Sequence, residues 1–146
     1  HTITINASDN DGNAATTVSS TFTIDTVPPT LTISSPAAGL ITNKAALNVI
    51  GKTNDATSSP ITLTMTLNGT SLGTVTVGSD GSFTKAVTLA EGTNSIVVTA
   101  KDGAGQTTSI TLSVKLDTTV PELKGITLSP NPVSTSASVA ITVEVS

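Results

Sequence analysis

Three aspartates, Asp25, Asp55 and Asp102, are the side chains of this sequence best placed to do chemistry, because each stands beside a turn or linker instead of inside an apolar run. Carboxylate and backbone oxygens gathered at one point suit calcium, a hard cation that takes about six to eight oxygen ligands. Asp80, in Ser79-Asp80-Gly81, is a fourth candidate of lower rank. Asp and Gly also build turns for their own sake, so each of these positions has a purely local reading as well. Other chemistries are poorly supplied. The single histidine is His1, there is no cysteine, and the many serines fall within strand and turn patterns. A hydrolytic site needs a nucleophile with a base or an acid–base pair, and no such set can be drawn, so the chain reads as no enzyme. No cofactor is required, and calcium is the one ion the residues suggest. Without cysteine there is neither a disulfide nor a thiolate.

The carboxylates meet only if the elements around them bring them together, and those elements read as strands. Threonine and serine make up about a third of the residues, hydrophobic residues 36% and aromatics 1%. The apolar residues are mostly Val, Ile, Leu and Ala, and β-branched Val, Ile and Thr favour an extended backbone. Ile61-Thr62-Leu63-Thr64-Met65-Thr66-Leu67 alternates strictly and is followed by the tight-turn pair Asn68-Gly69, the pattern of a half-buried strand. Similar reasoning predicts strands A near 31–34, B near 47–53, C at 61–67, D near 72–77, E at 82–89, F at 95–100 and G near 109–116. Seven short strands with turns between them predict an all-β, immunoglobulin-like Greek-key β-sandwich.

Leu31, Val49, Leu63, Met65, Phe83, Ile96, Val98, Leu112 and Val114 typify the inward positions. Lys85 falls in the inward register of strand E, which predicts a bulge or an edge strand there, and Ile50 falls on the outward side of strand B. Phe22 and Phe83 sit in strand patterns that predict core packing, not a platform for stacking sugars. In this topology the B–C, D–E and F–G loops lie at the pole where the chain enters. That places Asp55, Asp80 and Asp102 toward the linker carrying Asp25, with Asp80 furthest along the pole.

Thr2-Ile3-Thr4-Ile5-Asn6-Ala7-Ser8-Asp9 matches Ser95-Ile96-Val97-Val98-Thr99-Ala100-Lys101-Asp102, and Ile24-Asp25-Thr26 with Pro29 matches Leu116-Asp117-Thr118 with Pro121. The period of roughly 92–93 residues is about one such module. It divides the chain into the F–G end of one repeat (1–27), a complete repeat (28–119) and the A–B start of a further repeat (120–146). Proline at each junction fixes φ and stiffens the connection. Asn6-Ala7-Ser8 and Asn68-Gly69-Thr70 match a glycosylation sequon, the second reading better as a turn.

Asp25-Thr26-Val27-Pro28-Pro29, Ser79-Asp80-Gly81-Ser82-Phe83, Leu89-Ala90-Glu91-Gly92-Thr93-Asn94 and Thr99-Ala100-Lys101-Asp102-Gly103 together resemble the bacterial Ig-like repeats, of the Big type, found in tandem in large secreted and surface proteins and adhesins. Ser129-Pro130-Asn131-Pro132-Val133 resembles the opening of a divergent neighbour. The resemblance implies an extracellular or cell-surface location and neighbouring Ig-like repeats as partners. The leading expectation is a non-catalytic spacer, the alternatives being an adhesive module for a glycan or protein and a segment of a surface filament or layer. A net charge of −4 and a near absence of aromatics argue against nucleic acid. No apolar run approaches the roughly 18 residues of a spanning helix, which predicts no membrane insertion of this segment.

Overall fold

In the computed structural model, described over residues 1–55, 59–129 and 140–145, every regular element is a strand. In chain order they are β1 (Thr2–Ile5), β2 (Val18–Thr21), β3 (Thr30–Ser35), β4 (Ile41–Thr42), β5 (Ala46–Asn54), β6 (Thr62–Leu67), β7 (Thr70–Val75), β8 (Ser82–Thr88), β9 (Gly92–Lys101), β10 (Thr107–Leu116), β11 (Leu123–Ser129) and β12 (Ala140–Val145). β3 to β10 form two sheets, one ordered β3-β5-β8 and the other β4-β10-β9-β6-β7. β1 pairs with β2, and β11 with β12, as separate two-stranded antiparallel sheets. No helix among the described residues is long and apolar enough to cross a membrane.

Alternation builds the core. Leu31, Val49, Leu63, Met65, Val75, Phe83, Val87, Leu89, Ile96, Val98, Ala100, Leu112, Val114 and Leu116 are buried between the two sheets, with Ile33, Leu47, Ile61, Leu67, Val77 and Ile110 packed against them. Their neighbours along each strand point outward, as the two-residue period of a pleated strand requires. Lys85 is partly buried at the inward register of β8, and β8 is an edge strand whose pairing with β5 runs without a bulge. The edge, not a bulge, explains the lysine, since its long stem can lie along apolar surface while the ammonium reaches water. Ile50 faces outward and is 39% exposed.

The structure adds two features to the expected strands and corrects one expectation, the packing of Phe22. The strand expected as D pairs with β6 and joins the larger sheet as β7, and Val77 just beyond it bridges to Phe83 of β8. Asn68 and Gly69 have φ of 51° and 80°, the left-handed pair of a two-residue hairpin turn, which brings the returning strand back beside β6. Strand A falls where expected, as β3, and after Pro36 and the turn at Gly39 the chain crosses to the other sheet, where the additional short strand β4 runs parallel to the end of β10. Phe22 is 44% exposed and stacks on the His1 ring at 5.4 Å instead of entering a core, because the β1–β2 hairpin has no second sheet against it here.

Candidate functional site

The linker enters the sandwich at a pole where it is tied down by hydrogen bonds. Pro29 is buried, and its carbonyl accepts the Thr108 hydroxyl at 2.6 Å. Thr53, 1% exposed, donates its hydroxyl to the Thr30 carbonyl at 2.7 Å, and Thr30 in turn donates to the Asn54 carbonyl at 2.9 Å. These bonds knit the first residue of β3 to the last residues of β5, so the chain before Pro29 leaves from a defined place.

Asp25 lies just upstream of that anchor, Asp55 directly follows β5, and Asp102 directly follows β9. The fold brings all three together: one carboxylate oxygen from each lies within 4.8 Å of the others. Asp25 and Asp55 are partly exposed, and Asp102 is 5% exposed. Local turn geometry orients two of them. The Asp25 Oδ1 accepts the Val27 N–H at 3.0 Å, and the Asp102 Oδ1 accepts the Gln106 N–H at 2.8 Å within a turn closed by Asp102 N–H to the Gln106 carbonyl. The other oxygen of Asp102, Oδ2, is buried and has no hydrogen-bond partner among the described residues. Three converging carboxylates repel one another, and a buried carboxylate oxygen without a donor has lost its water for nothing in return. Residues that could hold a metal here offer oxygen only.

Asp80 stands apart from the three. Its Oδ1 accepts the Ser82 hydroxyl at 2.6 Å and the Ser82 N–H at 3.1 Å, while Lys52 lies 3.8 Å from Oδ2. The Ser82 bonds, with a smaller contribution from Lys52, hold its carboxyl below the ordinary aspartate range. It is a turn aspartate. Beside Asp55 the pole has a shallow cavity of about 260 Å³ whose lining includes Asn54, Ser59, Pro60, Val77 and Ser79.

Asp9 shows what the same turn does without the cluster. Its Oδ1 accepts the Asn13 N–H at 2.8 Å as that of Asp102 accepts Gln106, but its Oδ2 is satisfied by the Asn13 side-chain amide at 2.8 Å. Those bonds lower its carboxyl below the usual range. At the opposite pole Asp117 repeats the turn of Asp25, accepting the Thr119 N–H at 3.3 Å, and its carboxylate also takes the Lys115 ammonium at 3.0 Å. Glu91 receives the Thr118 N–H at 3.2 Å and hydroxyl at 2.8 Å, so the outgoing linker is tied down as well.

One buried polar cluster escaped the sequence reading. Asn94 is 0% exposed, and its Oδ1 accepts from the Asn68 side-chain amide and the Ala90 N–H, both at 2.9 Å. Its Nδ2 donates to the carbonyls of Ala90 at 2.7 Å and Gly92 at 3.0 Å. The Asn68 amide nitrogen is thus engaged in a turn network. A polar residue where alternation calls for an apolar one was the only available sign.

Comparison with known proteins agrees with the architecture. The fibronectin(III)-like modules of Clostridium thermocellum CbhA share 17% identity over 78% of this chain and 60% of their own length, with a TM-score of 0.52. An engineered protein is 25% identical over 61% of this chain and 20% of its own, at a TM-score of 0.44, too loose a likeness to bear on the fold. The chain thus spans less than two thirds of either structure. No curated protein matches it. The family described as "Glucodextranase, domain B" matches residues 29–118, the span that contains β3 to β10. With that match running over well more than half of its length, this Ig-like chain belongs to the glucodextranase domain B family.

Proposed function

We propose that this chain is a non-catalytic, load-bearing spacer in an extracellular or cell-surface protein, holding its neighbours apart along one axis. The observation that carries this reading is the parallel pairing of β4 with the end of β10. The chain enters at the pole of Asp102, where Thr107 pairs with Lys101, and leaves at the other end of β10, where Leu116 pairs with Gly92. Ten residues of β10 set these poles about 33 Å apart. Tension on the two linkers therefore pulls β4 and β10 in opposite directions along their length. It loads the bonds Gly39 N–H to Ser113 O at 2.9 Å, Lys115 N–H to Leu40 O at 2.8 Å and Asp117 N–H to Thr42 O at 2.9 Å together, in shear. Bonds loaded together must break together, a suitable property for a stalk.

The family name supports the reading from another side, since a "domain B" stands among other domains of its glucodextranase. Tandem Ig-like repeats on either side, as in adhesins, would extend the same axis.

Force spectroscopy on the chain held through its two ends tests the idea. Asp117→Pro removes one sheared bond at a strand end, and Asp117→Ala, which loses the same carboxylate bonds to Thr119 and Lys115 but keeps that N–H, is its control; relative to it the proline variant is expected to unfold at a clearly lower force while differing in equilibrium stability by only about 1 kcal/mol. Equal forces for the two variants would contradict a β4–β10 clamp. Specific, saturable binding of the chain to a glycan array would favour the adhesive alternative.

A further inference from the structure

We infer that the entry pole is a calcium site in which Asp25, Asp55 and Asp102 bind one ion and lock the incoming linker to the sandwich. Two independent observations meet there. The first is convergence: three carboxylates from a linker and two loops place oxygens within 4.8 Å of one another. Calcium–oxygen distances of about 2.3–2.6 Å let oxygens on opposite sides of one ion stand about 4.6–5.2 Å apart, so a single ion can bridge this span. The second is the Asp102 Oδ2, an oxygen of a residue 5% exposed that no donor among the described residues satisfies. In the equivalent turn at Asp9 the corresponding oxygen is satisfied by a side-chain amide, so the turn itself does not require it to be bare. Nothing in the turn therefore accounts for that oxygen, whereas a cation would.

The donor set selects the class of ion. All three side chains are carboxylates, the sequence has no cysteine, and its one histidine, His1, stacks on Phe22. Hard, oxygen-seeking cations fit and thiophilic ones do not. Since Asp25 belongs to the linker while Asp55 and Asp102 belong to the sandwich loops, binding couples the linker to the module. Calcium binding stands apart from the load-bearing role: the β4–β10 bonds lie at the far end of β10, and either property can fail alone.

The test uses the whole chain and calcium chloride, with chelator as the reference. Calcium at about 100 times its dissociation constant should raise the apparent folding constant about 100-fold, read as a melting temperature higher by roughly 10 °C in a domain this size. Calorimetric titration should fit one ion at this pole. Asp25→Asn keeps the acceptor for the Val27 N–H, and Asp102→Asn keeps that for Gln106, so both should fold. Each should lose the calcium-dependent gain, and in chelator each should melt no lower than the parent chain, because one of three mutually repelling charges is gone. Asp80→Asn, at the same pole but outside the cluster, should keep the full gain. Equal melting of the parent chain in calcium and chelator would overturn the site, as would a gain that survives Asp25→Asn or is lost in Asp80→Asn.

Discussion

At the scale of single residues, a side chain with no exposure at all, Asn94, makes four hydrogen bonds. Asn94 uses both amide hydrogens and its oxygen, twice over, to hold the turn between β8 and β9 and to join it to the Asn68 turn. Truncating it leaves the Ala90 N–H, two carbonyls and the Asn68 amide short of a partner in a water-poor place. Asn94→Ala is expected to cost about 2–3 kcal/mol, the penalty of stranding buried polar groups, measured by urea unfolding with an unchanged m-value. A loss below about 0.5 kcal/mol would mean that water reaches these groups and that the network is ornamental. Asp80, exposed, and Asp117, partly exposed, are of the opposite kind: bonded mainly within their own turns, they shape loops.

At the scale of elements, β5 is the strand on which the smaller sheet depends, since it is flanked by β3 and β8. Its centre is Gly51, paired with Ile33 on one side and Phe83 on the other. A Cβ there would stand 2.1 Å from the Thr32 carbonyl oxygen and 2.6 Å from the Phe83 ring. The glycine thus makes room for the one aromatic side chain of the core and for a close strand approach. Gly51→Ala should destabilise by about 1–3 kcal/mol through overpacking, and pairing it with Phe83→Leu should recover part of the loss. Simple additivity of the two losses would show that the ring is not what the glycine accommodates.

At the scale of the molecule, the core formed by β3 to β10 is closed upon itself, and both linkers are fastened to its poles by Thr108 at one end and Glu91 at the other. Residues 28–119 are therefore expected to unfold as one cooperative unit when produced alone, with fluorescence-independent probes such as far-UV circular dichroism and calorimetry giving coincident transitions. Broad or non-coincident transitions would show that the flanking hairpins supply part of the fold. In local geometry β1–β2 has the turn of β9–β10, and β11–β12 is antiparallel like β3–β5. Ile3, Ile5, Val18, Leu123 and Ile126 on them are exposed. The Ser-Pro-Asn-Pro segment at 129–132 lies outside the described residues but for the backbone of Ser129.

What the amino-acid sequence determined by itself is whatever depends on the two-residue period of a strand and on the chemistry of turns. Alternation in 61–67 places Leu63 and Met65 inward without reference to any other strand, and Leu63 and Met65 are 1% and 0% exposed. The order of the strands around the sandwich also told which loops share a pole, so the meeting of Asp25, Asp55 and Asp102 was legible. Their spacing to within 4.8 Å, and the burial of the Asp102 Oδ2, were not, because side-chain desolvation depends on what other segments cover. The pairing of β7 with β6 also lay within reach of the sequence, since Asn68-Gly69 specifies a two-residue hairpin whose strands pair. The parallel β4–β10 pair had no such signal: two residues carry no periodicity, and their partner lies over 70 residues away. Periodicity is a property of neighbours along the chain, whereas parallel pairing and burial are decided between segments that only tertiary folding brings together.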